Sequence, residues 1–241
     1  MKITDKIKEK SKYIRGESPV VIGFLGDSVT HGCFEIYRSG AEAIETEYRS
    51  YDAYHNKLKG MLETVNPSVT INVLNAGISG DRALGGLERI ERDIIAYKPD
   101  LCVVCYGLND VNAGIDKIDE YASALDGIFK KLKTADIETI FMTPNMMATY
   151  VSSDVYDEKI ILTIKNISEH QINGDMEAYM ERAKEVCELN GVVVCDCYKK
   201  WKKLYENGTD VTRLLANRVN HPTEKMHNLF AYSLFEMIMD L

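Results

Sequence analysis

Val20-Val21-Ile22-Gly23-Phe24-Leu25-Gly26-Asp27-Ser28-Val29 is an apolar run that stops on Gly-Asp-Ser. An uncharged run rich in β-branched residues predicts a buried strand. The glycine, short carboxylate and serine that end it predict a turn into a helix. A strand of this kind belongs to a parallel sheet covered by helices, and such sheets bind ligands beyond the carboxyl ends of their strands. Ser28 therefore falls at the rim of a cleft. Serine is also a favoured helix cap, and as a nucleophile it is weak. A chemical role for Ser28 needs a base and a holder of negative charge from elsewhere in the chain.

Four further apolar runs follow: Thr70 to Leu74, Leu101 to Tyr106, Glu138 to Met142 and Val192 to Cys195. Between them apolar residues recur three and four apart, as in Leu84-Leu87-Ile90-Ile94, Tyr121-Leu125-Ile128-Leu132 and Met176-Met180-Ala183-Val186. Alternating strands and helices predict an α/β fold of βαβ units, a doubly wound five-stranded parallel sheet with strand order 2-1-3-4-5. A last helix is expected from Thr223 to about Met239, with Leu229, Phe230, Leu234, Met237 and Ile238 on its apolar stripe. Trp201 lies in a lysine-rich run that reads as an amphipathic helix with the ring turned inward. The whole of 1–241 reads as one domain. Residues 1–18 form an N-terminal extension. Residues 146–174 form a long irregular connection, either a candidate lid or a plain surface excursion, with some order suggested by Ile160, Ile161, Leu162 and Ile164.

The 241 residues are 45% hydrophobic and 27% charged, enough apolar material for a sizeable core, with a net charge of −8. An acidic chain without a basic face excludes nucleic acid as an expected partner. The polar N-terminus has no signal-like apolar stretch and no run is long enough for a bilayer, so a cytoplasmic protein with no membrane partner is expected. Cys102 and Cys105 have CxxC spacing, but a strand sends them to opposite faces. Cys195 and Cys197 share a face without an accompanying histidine. All six cysteines are expected as reduced thiols, and no His–carboxylate spacing argues for a metal.

Three later segments complete a site for acyl transfer. Asn75-Ala76-Gly77-Ile78-Ser79-Gly80-Asp81 follows the second strand, and Tyr106-Gly107-Leu108-Asn109-Asp110 ends the third. Ser28 N–H, Gly80 N–H and the Asn109 amide would together donate to a developing oxyanion. In Asn220-His221-Pro222, the proline keeps His221 out of helical geometry, on a loop able to bring a base to Ser28.

Taken in order, GDSxT, NxGxSGD, GxND and NHP resemble the SGNH or GDSL hydrolase superfamily, named for Ser, Gly, Asn and His in four blocks. By position these are Ser28, Gly80, Asn109 and His221, spread over nearly the whole chain. The resemblance implies a flavodoxin-like three-layer sandwich and hydrolysis of esters or thioesters, without metal or organic cofactor. It also implies an Asp three residues before the histidine. Arg218 stands there and cannot accept a hydrogen bond. Asn217, one residue earlier, is the expected stand-in, with a backbone carbonyl, Asp196 or Asp210 as other ways to orient His221. Asp196 reads more simply as a cap after the fifth strand.

Asp27, His31, Met146 and Tyr150 are candidate substrate contacts. Their plain readings are loop hydrogen bonding for Asp27, as for Asp81 and Asp110, an exposed helical turn for His31, and loop anchoring for the other two. His55, His170 and His227 have no partner pattern and are expected at the surface. The functional expectation is a serine esterase acting on a small-acyl ester, such as an acetylated carbohydrate. A silent or slow binding protein of the same fold is the main alternative, and a thioesterase or lysophospholipase is another within the family. Gly23-Phe24-Leu25-Gly26 lacks a dinucleotide fingerprint, which sets nucleotide binding low.

Overall fold

A computed structural model describes residues 2–39 and 43–240. Helix α1 (Lys2–Lys12) leads into β1 (Val20–Gly26), the one-turn helix α2 (Ser28–His31), and a hairpin of β2 (Cys33–Ser39) and β3 (Ala43–Tyr48). Then come α3 (Tyr54–Val65), β4 (Ile71–Gly77), α4 (Ala83–Asp93), β5 (Leu101–Cys105), α5 (Ile118–Thr134) and β6 (Glu138–Met142). Helices α6 (Glu158–Ile172) and α7 (Asp175–Asn190), strand β7 (Val193–Cys195) and helices α8 (Cys197–Glu206) and α9 (His227–Met239) complete the chain. The five strands anticipated from the apolar runs form one parallel sheet in the order β4-β1-β5-β6-β7, the expected 2-1-3-4-5. Helix α3 packs with α9, and α5 packs with α4 and α7, so helices cover the sheet. This is the three-layer α/β sandwich.

Sheet register sets the site. Gly26 pairs with Gly77 on one side and Cys105 on the other, which levels the carboxyl ends of β1, β4 and β5. A Cβ on Gly77 would come within 2.2 Å of the His31 backbone nitrogen, so only glycine lets α2 sit down on the end of β4. At the opposite ends of the strands, α1 buries Ile3 and Ile7. The Lys2 and Ile3 N–H groups donate to the Glu138 carboxylate, and the Thr4 hydroxyl donates to the Ile238 carbonyl. The N-terminal extension is thus largely a docked helix. Trp201 is fully buried, and all six cysteines are buried thiols.

Two expectations are corrected, and one element is new. The 146–174 segment is irregular only in its first part; from Glu158 it is helix, because Asp157 caps the Lys159 and Ile160 N–H groups and Ile160, Ile164 and Ile167 form a buried stripe. The β2–β3 hairpin was not anticipated. His55 and His227 are buried, not superficial: Tyr54 and His227 stack with ring centroids 6.1 Å apart where α3 meets α9, and His55 packs on Phe24 at 5.5 Å. His170 is half-buried, with Nδ1 2.8 Å from Asp175.

Candidate active site

The sheet and loops bring Ser28, Gly80, Asn109 and His221 to one cleft of about 300 Å³. Asp27 caps the turn that carries Ser28, its carboxylate accepting from the Val29 N–H at 2.9 Å. Gly80 has φ +78°, a left-handed turn conformation that glycine adopts without strain. Asn109 donates one amide hydrogen to the Asp81 carbonyl at 3.0 Å, which leaves its second hydrogen for another acceptor.

His221 reaches Ser28 from across the chain. Its Nε2 lies 3.0 Å from Ser28 Oγ, and its Nδ1 lies 2.9 Å from the Phe34 carbonyl on β2. A carbonyl only accepts, so Nδ1 carries the proton and Nε2 presents its lone pair to the serine hydroxyl. Ser28 is 3% exposed and His221 6%. Burial lowers the His221 pKa to about 4, against the opposing pull of the Phe34 carbonyl and the nearby Glu35 charge.

Asn217 does not stand behind the imidazole. Its Oδ1 accepts from the Val219, Asn220 and His221 N–H groups, each at 2.9 Å, and its Nδ2 donates to Asn220 Oδ1. It shapes the loop, and the Phe34 carbonyl occupies the orienting position. Arg218 has φ +57°, pairs with Asp154 at 3.1 Å and donates to the Leu215 carbonyl. Asp196 caps α8 as expected, and Asp210 caps the 3₁₀ turn Val211–Leu214. Asn217→Asp should therefore leave kcat within about twofold, since a carboxylate there gains no contact with Nδ1. Asn217→Ala should cost about 1–3 kcal/mol by unpairing three buried N–H groups, read from urea unfolding.

The four candidate substrate contacts fall outside the cleft lining. Asp27 is fully buried as a cap, and Met146 is core. His31 turns its ring onto Tyr48, centroids 4.8 Å apart. Tyr150 is exposed and donates to Asp210 at 2.6 Å. The cleft walls come instead from two elements that sequence reasoning missed or left open. The hairpin gives Ile36 and Thr46, and α6 gives Ile160, Thr163 and Ile167. Apolar–polar alternation through Phe34-Glu35-Ile36 and Ile44-Glu45-Thr46-Glu47-Tyr48 was the available signal for the hairpin.

Behind the strand ends lies a second charged layer. Arg89 on α4 is 9% exposed. It donates to Asp81 Oδ2 at 2.9 and 2.7 Å, to the Gly26 and Ala76 carbonyls at 3.1 and 2.7 Å, to the Tyr106 hydroxyl at 2.8 Å and to Asp93 at 3.1 Å. The ends of β1, β4 and β5 are thus tied to one guanidinium. Burial raises Asp27 and Asp110 to about 7 each.

A sequence profile of the GDSL-like lipase/acylhydrolase family matches residues 24–229. An acetylxylan esterase of Geobacillus stearothermophilus is 33% identical over 130 residues, 50% of this chain and 58% of that protein, so the match spans little more than half of its length. Among solved structures, a mutant acetyl-xylooligosaccharide esterase from the same genus superposes with TM-score 0.67 at 25% identity, covering 92% of this chain and 94% of that one. An α/β hydrolase from the metagenome of Lake Arreo, Spain, has the same fold, with TM-score 0.66 at 20% identity over 91% of this chain and 95% of its own.

Proposed function

Because the chain belongs to the GDSL-like lipase/acylhydrolase family, we propose that it is a serine esterase that removes small acyl groups, acetyl foremost, from carbohydrate esters. The observation that carries the reading is the continuous relay from Ser28 Oγ to His221 Nε2 and from His221 Nδ1 to the Phe34 carbonyl, in a cleft shared with Gly80 and Asn109. His221 takes the Ser28 proton as Oγ attacks the ester carbonyl. The resulting oxyanion accepts from Ser28 N–H, Gly80 N–H and Asn109 Nδ2. The imidazolium then protonates the departing alcohol oxygen, leaving an acyl-Ser28. Water, deprotonated by the same Nε2, releases the acid and restores the serine.

The missing carboxylate bears on rate and leaves the reaction type intact. In a serine protease an Asp-to-Asn change costs about 10⁴-fold because it admits the wrong imidazole tautomer. The Phe34 carbonyl favours the productive tautomer and withholds only the Coulombic support of a charge.

Acetylated carbohydrate is favoured by the names of the relatives and by a cleft lined with Thr46, Asn112, Thr163 and Asn220 beside its isoleucines. A series of p-nitrophenyl esters followed by acetylated xylose should give kcat/KM for acetate at least about tenfold above octanoate, one pocket mismatch being worth that much. Equal or better turnover of the long chain would overturn the acetyl preference.

The acid limb of the rate profile should be displaced. The neutral imidazole is the active form, and its pKa is lowered to about 4. Wild-type kcat/KM should stay level as pH falls from 7 to roughly 5 and drop only below that. A limb centred near the ordinary imidazole value would contradict the buried, carbonyl-held base.

A further inference from the structure

With no side-chain carboxylate at Nδ1, alignment of the base rests on the direction of one backbone carbonyl, on a hairpin outside the main sheet. Among the described residues, β2 pairs only with β3, and its register slips between Cys33 and Ile36, where Phe34 lies. The strand ladder alone therefore does not fix that peptide. Arg49, just after β3, reaches it from several directions. Its N–H donates to the Gly32 carbonyl at 2.8 Å, and its guanidinium carbon lies 4.3 Å from the centre of the fully buried Phe34 ring. The guanidinium also pairs with Glu35 at 2.9 Å, Glu47 at 2.7 Å and Asp52 at 3.3 Å. The Phe34 ring meets the buried His227 ring at 4.9 Å.

We propose that Arg49 is the positioning residue for the catalytic base: it clamps the Phe34 segment by covering the ring, by its backbone bond to the Gly32 carbonyl and by its ion pair to Glu35, so that the Phe34 carbonyl holds Nδ1–H of His221 toward itself and Nε2 toward Ser28. This deepens the esterase reading and rests on the same Ser28–His221 pair. An isolated surface ion pair contributes little, but a planar guanidinium over a buried ring, bridging three carboxylates, restricts geometry as a lysine cannot. Arg49 touches neither nucleophile nor base, so its action passes through the peptide it immobilises.

The test compares Arg49→Ala and Arg49→Lys with wild type, each labelled with ¹⁵N-histidine, by ring-nitrogen NMR and by p-nitrophenyl acetate kinetics. In Arg49→Ala, the protected Nδ1–H of His221 should exchange faster with solvent and the second tautomer should become populated. Its kcat should fall about ten- to a hundredfold with KM within about twofold, the cost of a misaligned catalytic group. Arg49→Lys should fall between the two. A His221 ring spectrum unchanged in Arg49→Ala overturns the proposal, as does a loss of turnover that merely follows the fraction folded by circular dichroism. If the alanine variant does not fold, an unchanged Nδ1–H exchange rate in Arg49→Lys overturns it equally. Should wild type hydrolyse no ester, the esterase reading fails, while the ring-nitrogen spectra still decide the role of Arg49.

Discussion

Replacing Ser28 with alanine should lower kcat on p-nitrophenyl acetate by about 10⁵- to 10⁶-fold and abolish labelling by a fluorophosphonate probe, with the melting temperature nearly unchanged. The size follows from the way serine, histidine and oxyanion donors act as a unit: loss of the nucleophile removes almost all of the advantage of the others. The substitution deletes one oxygen, which leaves His221 Nε2 without its donor but keeps the Asp27 cap and the Phe34 contact. A variant that keeps more than a trace of wild-type hydrolysis, with contaminating esterase excluded, would show that turnover does not pass through Ser28. Fluorophosphonate labelling of the variant at another residue would lead to the same conclusion.

The largest expected loss of stability comes from Arg89→Met. The substitution keeps much of the apolar volume and removes the guanidinium, leaving the Asp81 carboxylate and the Gly26 and Ala76 carbonyls without that donor at the buried ends of β1 and β4. Removing one partner of a buried pair costs about 3–5 kcal/mol. Denaturant unfolding should show that loss, and kcat should fall as well, because the same guanidinium joins the turns that carry Ser28, Gly80 and Asn109. Arg89→Lys should recover only part, since an ammonium cannot serve Asp81, two carbonyls and Tyr106 in their fixed directions. A midpoint shift equivalent to less than about 1 kcal/mol would mean that the cluster is solvated enough to manage without its cation.

Much of the fold was legible from hydrophobic periodicity. Strands β1 and β5 are buried along nearly their whole length and read as unbroken apolar runs; β4, β6 and β7, less fully buried, stood out by their β-branched residues, and the order came out as expected. The hairpin was missed because one of its faces is open to solvent, with Tyr37, Glu45 and Glu47 exposed on it, and the alternating charges read as loop. Helix α6 was half visible, its isoleucines noticed but its Asp157 cap not weighed. Of the candidate site, Ser28, Gly80, Asn109 and His221, which the structure brings to one cleft, were legible because each sits in a turn with its own residue signature. A backbone carbonyl was among the alternatives for the partner of His221 Nδ1, but its position was not legible, because any residue at position 34 supplies one; Asn217 was chosen on residue type, and backbone geometry assigns it other work. Arg89 and the two buried histidines escaped for a related reason: polar residues within helices ordinarily face water, and only tertiary packing of α4, and of α3 against α9, reverses that.

The docking of α1 has a practical side. Thr4 and Ile238 touch each other, and Ile3 is fastened at the start of β6, at the end of the sheet remote from Ser28. A bead, a fusion partner or a display scaffold joined near either of these positions would hold the protein by its underside. The Ser28 cleft would then face the surrounding medium, so immobilised preparations should hydrolyse p-nitrophenyl acetate at the rate of the free protein.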